Sequence, residues 1–310
     1  MDIIEVINLK KRYGDNEAVK GISFKVKEGE ILGFLGPNGA GKSTTINILS
    51  TALKPTEGQI KFMDKDILKD KKTYKLNIGI VPQDLAIFEN IPAIENVKYF
   101  AGFYGIKGQA LNIKAKEALN MVGLLDRAKD LPKNYSGGMK RRLNIACALA
   151  HNPKILILDE PTVGIDPQSR NNILEVIKEL KNNGTTVIYT SHYMEEVEAI
   201  CDRIIIVDKG EIIKEGTIEK LKEETGENII YNIYGEGIEN IDTDILCSIK
   251  GVENVEVKDG IRISISKEYN NIDIITVKLI ENNIKIKKII SEEQNLENVF
   301  LKLTGSSLRD

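Results

Sequence analysis

Nine residues, "GPNGAGKST" from Gly36 to Thr44, constrain this chain more than any other stretch in it. They fit the pattern G-x-x-x-x-G-K-[ST] in its proper setting, with the apolar run "ILGFL" (31–35) reading as a strand before them and a helix after them. The glycines let backbone N–H groups wrap phosphate oxygens, and the start of the helix adds donors and a favourable dipole. Gly36, Pro37, Asn38, Gly39, Ala40, Gly41, Lys42, Ser43 and Thr44 are therefore the expected cradle of a triphosphate. Lys42 would neutralise its β- and γ-oxygens and Ser43 would ligate Mg²⁺.

A strand, a tight turn and a helix of this kind belong in a mostly parallel sheet with crossover helices. The rest of the first 220 residues agrees. The runs "NIGIV" (77–81), "KILILD" (154–159) and "TTVIYTS" (185–191) alternate with helical stretches, and "ILIL" is apolar on both faces, as a strand covered by helices should be. "DIIEVINL" and "GISFKVKEG" alternate with period two and read as an antiparallel N-terminal edge. Between about 84 and 152 helical periodicity takes over. The expectation is an α/β P-loop NTPase core over 1–222, with an antiparallel N-terminal β subdomain and a helical subdomain.

A linker and a second unit are expected from about 223 to 310. Strands at 229–234, around "KDG" (258–260) and at 284–290, with helices near 241–249, 271–281 and 295–305, give the order βαββαβ and then a last helix. That order is a split βαβ, ferredoxin-like α+β module. Val255, Val257, Ile261, Ile263 and Ile265 share one face of its hairpin.

"ILILDE" (155–160) ends a strand in two acids, an ordinary strand end by itself. Beside a phosphate cradle, Asp159 becomes the Mg²⁺ ligand and Glu160 the base that polarises an attacking water, while Lys42 stabilises charge on the γ-phosphoryl group. Four further signals stay ambiguous one at a time. "YSGGM" (135–139), before a helix starting near Met139, is a second anion-binding helix start or a plain cap. Gln83 is a ligand or a solvated strand end. His192 is a reacting group or a structural histidine. Tyr13 is a platform for a purine or a cover for an edge strand.

Their order resolves them. P-loop, Gln83, Ser136-Gly137-Gly138, Asp159-Glu160, "GIDP" (164–167) and His192 follow one another as they do in the nucleotide-binding subunits of ATP-binding cassette (ABC) transporters, which residues 1 to about 220 resemble. The resemblance implies ATP and Mg²⁺ as cofactors, with Ser43, Asp159 and Gln83 as metal ligands. Glu160, His192 and Gln83 are the implied catalytic residues, and Tyr13, Ser136, Gly137, Gly138 and the D-loop Asp166 the implied nucleotide contacts. It also implies two chains, identical or not, clasping two ATP molecules head to tail, and a separate transmembrane permease that holds the pair on the inner face of the cell membrane. Tyr135 and Met139 depart from the usual L-S-G-G-Q.

Two functions compete: the motor of an exporter, and a soluble ABC ATPase acting on DNA or ribosomes. The second predicts a long coiled coil between P-loop and signature, or two cassettes with a charged linker, and the sequence has neither. A net charge of −3 and a pI of about 5.7 also speak against a nucleic-acid partner. "VPQDLAIFENIPAIENVKYFAGFYG" (81–105) and "QNLENVFLKLTG" (294–305) resemble ATPase subunits of bacterial exporters for drugs, antibiotics, sodium or polysaccharides. Export is expected.

No run approaches the ~20 apolar residues of a membrane span, and the N-terminus lacks a signal-peptide layout. Cys147, Cys201 and Cys247 all lie in apolar surroundings and read as buried, inert thiols of a reducing compartment. The basic run Lys140-Arg141-Arg142 reads as a solvated helix face. His151, near the end of the same helix, reads as a partner of the helix dipole.

Overall fold

Period-two burial along the first strands builds a four-stranded antiparallel sheet. β1 (Asp2–Tyr13) turns Ile4, Val6 and Leu9 inward, and β2 (Asn16–Lys27) answers with Val19, Ile22, Phe24 and Val26. Alternation alone would turn Leu9 outward. A shift of register between Val6 and Leu9, where Asn8 has φ +45°, returns it to the core. The computed structural model describes residues 1–225, 228–269, 271–292 and 295–305, in two units, Met1–Ile218 and Glu219–Gly305.

In the first unit β3 (Ile31–Leu35), buried at every position, runs into α1 (Lys42–Leu49). β4 (Glu57–Phe62) and β5 (Lys65–Asp66) complete the first sheet in the order β2-β1-β4-β5. α2 (Lys71–Leu76) and β6 (Ile78–Val81) lead to the helices α3 (Ala93–Phe103), α4 (Gly108–Met121) and α5 (Gly137–Leu149). The chain then alternates through β7 (Ile155–Asp159), α6 (Pro167–Asn182), β8 (Thr186–Thr190), α7 (Met194–Ile200), β9 (Arg203–Asp208) and β10 (Glu211–Gly216).

The second sheet runs β10-β9-β3-β8-β7-β6, parallel throughout except for the β9–β10 hairpin. This order positions the site. β3, β7 and β8 end at the same edge, and Asp159 pairs in register with Thr190. Crevices at the carboxyl ends of parallel strands are where ligands of such sheets bind.

Helix α8 (Ile218–Thr225) leads to the second unit. The linker expected near 225 falls in part on residues 226 and 227, outside the described residues. β11 (Asn228–Glu236), α9 (Thr243–Cys247), β12 (Val252–Val257), β13 (Ile261–Ser266), α10 (Ile272–Glu281), β14 (Lys285–Glu292) and α11 (Leu296–Thr304) follow. Their antiparallel sheet has the order β12-β13-β11-β14, so β11 lies between the third and fourth strands of the unit. Ile261, Ile263 and Ile265 are fully buried with Leu246 of α9 and Ile275 and Leu279 of α10, and Val255 and Val257 pack against them. One expectation fails here. α9 is a five-residue turn of helix that spends Leu246 on this core, which turns Cys247 outward, so that thiol is exposed while Cys147 and Cys201 are buried.

Candidate functional site

The loop between β3 and α1 is shaped by close backbone contact. Gly41 has φ +100°, and a Cβ there would stand 2.6 Å from the carbonyl oxygen of Ala18, so only glycine fits without strain. α1 starts at the next residue, Lys42. The Lys42 ammonium is folded back onto the loop, donating to the carbonyls of Gly36 (2.6 Å) and Pro37 (3.1 Å). Only 7% of Lys42 is exposed. Burial lowers its pKa, against the opposing pull of Glu160 and Asp159.

Glu160 and Asp159 stand at the end of β7, joined to β8 by one hydroxyl. Thr190 Oγ1 donates to Asp159 (2.7 Å) and accepts from the backbone N–H of Glu160 (2.9 Å). Burial raises the Asp159 pKa; Thr190, Lys42 and His192 work against that rise, whereas Glu160 adds to it. Glu160 adopts φ +48°, the left-handed region that side chains avoid, which turns its carboxylate out of the strand direction. Its Oε1 meets Nε2 of His192, and His192 Nδ1 is buried with no hydrogen-bond partner among the described residues. Lys42, Asp159, Glu160 and His192 thus form one electrostatic cluster, carrying a cation and a proton acceptor at the mouth of a phosphate cradle.

Of the other expected site residues Ser43 adjoins Lys42, Gly138 is buried, and Tyr13, Gln83, Ser136, Gly137 and Asp166 are exposed on separate segments. Ser43 follows Lys42 in the first turn of α1 and is exposed. Its hydroxyl, the Asp159 carboxylate and the Gln83 amide make an all-oxygen donor set, the kind that suits Mg²⁺. Gln83 is exposed on the segment after β6, and Tyr13 is 50% exposed at the end of β1, with Lys11 Nζ 5.2 Å from its ring centre. α5 begins at Gly137, two residues earlier than expected, because the Ser136 side chain caps it by accepting from the Met139 N–H (3.2 Å). A Cβ on Gly138 would lie 2.3 Å from Cβ of Ser169, so the signature glycine lets α5 approach α6 closely. Asp166 caps α6, accepting from the Ser169 N–H (2.9 Å), a bond that holds its carboxyl below the usual range. Signature and D-loop therefore pack together.

Three features were missed or misread from sequence. Thr190, which ties the two acids to β8, gave no signal beyond its place two residues before His192. The basic run 140–142 is no solvated face, because the segment between β6 and α3 and the end of α4 engage it. Arg141 is buried and donates to the carbonyls of Pro82 (2.9 Å) and Gln83 (2.7 Å), Arg142 donates to Val122 O (2.8 Å), and Lys140 pairs with Glu89 (2.7 Å). Arg141 thereby joins the signature helix to the Gln83 segment. His151 does not serve a helix dipole. It stacks on Tyr104 at 3.4 Å between ring centres, contacts Ile78 O through Nε2 (2.9 Å), and burial pushes its pKa down to about 4, which keeps the ring neutral.

Known proteins resemble this chain in sequence and in fold. Residues 19–163 match the family model described as "ABC transporter". The chain is 45% identical to the linearmycin resistance ATP-binding protein LnrL of Bacillus subtilis (strain 168), over 99% of this chain and all of that one. It is 35% identical to the Nod factor export ATP-binding protein I of Burkholderia orbicola (strain AU 1054), over 99% of this chain and 98% of that protein. Among solved structures it is similar to the dimeric ATP-binding cassette MJ0796 bound to ADP and Pi, with TM-score 0.62 and 30% identity, covering 69% of this chain and 98% of that one.

Proposed function

The chain belongs to the ATP-binding subunits of ABC transporters, and from that membership we propose how its residues hydrolyse ATP and what the hydrolysis drives. The chain is an ATP-binding, ATP-hydrolysing motor subunit of the exporter type, as its relatives named for resistance and for export support. The observation that carries the residue assignment is the meeting of Lys42, Asp159, Glu160 and His192 where β3, β7 and β8 end.

An incoming triphosphate occupies the loop Gly36–Thr44, and Lys42 exchanges its two carbonyl contacts for phosphate oxygens. Ser43, Asp159 and Gln83 would hold Mg²⁺, which when bound neutralises charge across the β- and γ-phosphates. Glu160 takes the proton of the attacking water, and His192 keeps the carboxylate in place through Nε2. Tyr13 offers its exposed ring to the base, and Asp166 lines the site from the D-loop. Ser136, Gly137 and Gly138 of a second copy close over the γ-phosphate, so that ATP favours the closed pair and its loss lets the pair open.

The closing motion is passed to a separate permease. A groove of about 700 Å³ lies where α2, β6 and α3 meet, with Leu76, Ile80, Phe100 and Phe103 presenting apolar surface and Lys71 and Lys75 on its border. It sits beside the Gln83 segment that Arg141 ties to the signature helix, which favours this face as the seat of the permease. Among the described residues no helix is long and apolar enough to cross a membrane, and we place the chain on the inner face of the membrane through that partner.

The test is purification of the tagged chain from detergent-solubilised native membranes with ATP, with mass spectrometry of what accompanies it. A polytopic membrane protein in stoichiometric amount is the expected result. Recovery only with ribosomes or DNA-associated proteins overturns the transport reading.

A further inference from the structure

Four residues after His192 lies another buried carboxylate. Glu196, in α7, is 1% exposed, and one of its oxygens, Oε2, accepts from three hydroxyls, Thr162 Oγ1, Tyr189 Oη and Ser191 Oγ, each at 2.7 Å. Its other oxygen lies 3.2 Å from Nε of Arg170, an ion pair whose angle falls outside hydrogen-bond geometry. The donors come from the segments that carry the site. Thr162 follows Glu160 by two residues, and Ser191 precedes His192. Ser191 Oγ also accepts from the N–H of Tyr193, on the far side of His192 (3.0 Å), and the Tyr193 ring lies 4.3 Å from the Arg170 guanidinium. Arg170 stands in the first turn of α6, where its backbone N–H makes the ordinary helical bond to the carbonyl of the capping residue Asp166 (2.9 Å).

Both neighbours of His192 are thus anchored, and both anchors lead to Glu196 or to its ion-pair partner. We infer that Glu196 is a positioning residue for ATP hydrolysis: through Ser191 and Thr162 it sets where His192 and Glu160 stand relative to each other, and through Arg170 it holds that setting against the first turn of α6. The inference rests on the proposed roles of Glu160 and His192. A buried carboxylate that merely stabilised the fold would also be hydrogen-bonded. It would have no reason to collect its donors from the residues flanking both members of one pair.

The experiment uses the full-length chain and measures kcat and KM by phosphate release, together with ATP affinity at equilibrium. Glu196→Gln keeps the side-chain volume and loses the charge and one acceptor oxygen. Its expected kcat is about 10-fold lower, with KM and ATP affinity within about twofold of wild type, because misplacement acts on the reacting geometry and leaves the cradle intact. Ser191→Ala should lower kcat about threefold, and in the double variant it should add nothing to Glu196→Gln, since both cut the same connection.

Wild-type kcat in Glu196→Gln, losses that multiply in the double variant, or a fall in ATP affinity as large as the fall in kcat each overturns the inference. Should Glu196→Gln lose its cooperative thermal transition, Ser191→Ala alone decides: lower kcat at unchanged ATP affinity supports positioning, and wild-type kcat overturns it. Glu160→Gln, measured alongside, separates the two readings. If it hydrolyses ATP at the wild-type rate the catalytic assignment itself has failed; if it is inactive while Glu196→Gln is normal, only the positioning role has.

Discussion

Among the described residues every wholly buried polar or charged residue, from Glu30 to Glu196, belongs to the first unit, whereas the buried residues of the second are aliphatic but for Tyr231 and Phe300. Both units follow the same rules of alternation and packing. They differ in what they keep from water. Burying a polar group costs free energy unless its partners are in place, and the first unit gathers five such residues where β3, β7 and β8 end: Lys42, Glu160, Thr162, Thr190 and Ser191. The second unit lines its sheet with Ile233, Ile261, Ile263 and Ile265 and bears little of that cost, as at Asn228 Oδ1, buried without a partner among the described residues. The contrast teaches that in this chain the interior polarity gathered at those strand ends marks the candidate chemistry, and interior hydrocarbon marks shape.

The contrast is open to attack at four points. The largest expected effect is at Glu160. Glu160→Gln should lower ATP hydrolysis by about 10³-fold, within the usual worth of a general base, while ATP still binds and a closed ATP-bound dimer accumulates on size-exclusion chromatography. Turnover near the wild-type rate breaks the assignment of interior polarity to chemistry. Next comes the opposite kind of residue. Ile263→Ala in the second unit should cost about 3 kcal/mol of stability yet leave ATP affinity unchanged. The chain has no tryptophan, so far-UV circular dichroism in urea is the measurement, and a parallel loss of nucleotide binding would show that the units do not divide their labour.

Lys42→Ala should weaken ATP binding by on the order of 100-fold, the worth of charge-assisted bonds to phosphate. The nucleotide-free protein should be no less stable, because the substitution removes a charge whose pKa burial already depresses. Calorimetric titration and a melting curve check both halves; normal affinity contradicts the cradle.

The smallest effect is at His151, polar and half-buried but away from the site. Burial holds its pKa down to about 4, and its Nδ1 is buried without a hydrogen-bond partner among the described residues. The unfolded chain, with an imidazole near 6.5, takes up a proton before the folded chain does. Its contribution is therefore full above pH 6.5 and lost as the pH falls towards 4. The loss between pH 7 and 5 should be about 1–2 kcal/mol, and His151→Gln should flatten that slope in urea unfolding; an unchanged slope sharpens the contrast by removing His151 from the polar groups that matter.

What could be read in advance follows from how the chemistry is written along the chain. A phosphate cradle needs glycines, a lysine and a hydroxyl at consecutive positions, and a metal-bearing strand end needs adjacent acids, so Gly36–Thr44 and Asp159-Glu160 show themselves without a fold. Alternation likewise exposed the hairpin around 258–260, with Val257 pairing with Ile261 and Val255 with Ile263. Thr190, Arg141 and Glu196 are different. Each is a single residue of ordinary type whose meaning comes from a strand pairing or a helix contact: Thr190 matters because β8 lies beside β7, and Arg141 because α5 covers the carbonyls after β6. The same blindness misled the reading of the basic run, of His151 and of Cys247, since charge and hydropathy do not say what packs on top. The slip at Asn8 was invisible for a related reason: a bulge changes which face a residue takes without changing its composition.

The backbone of Glu160 has a consequence for how such a chain drifts over generations. A residue other than glycine held at φ +48° sits at a conformational cost of about 1 kcal/mol or more. Exchange for glycine would relax the backbone, so on grounds of that strain the position leans away from glutamate. On the proposed mechanism, what retains the acid there is the proton it takes from the attacking water. A copy of this chain relieved of hydrolysis would be under physical pressure to give up this side chain early, which makes residue 160 a gauge of whether a descendant still turns over ATP.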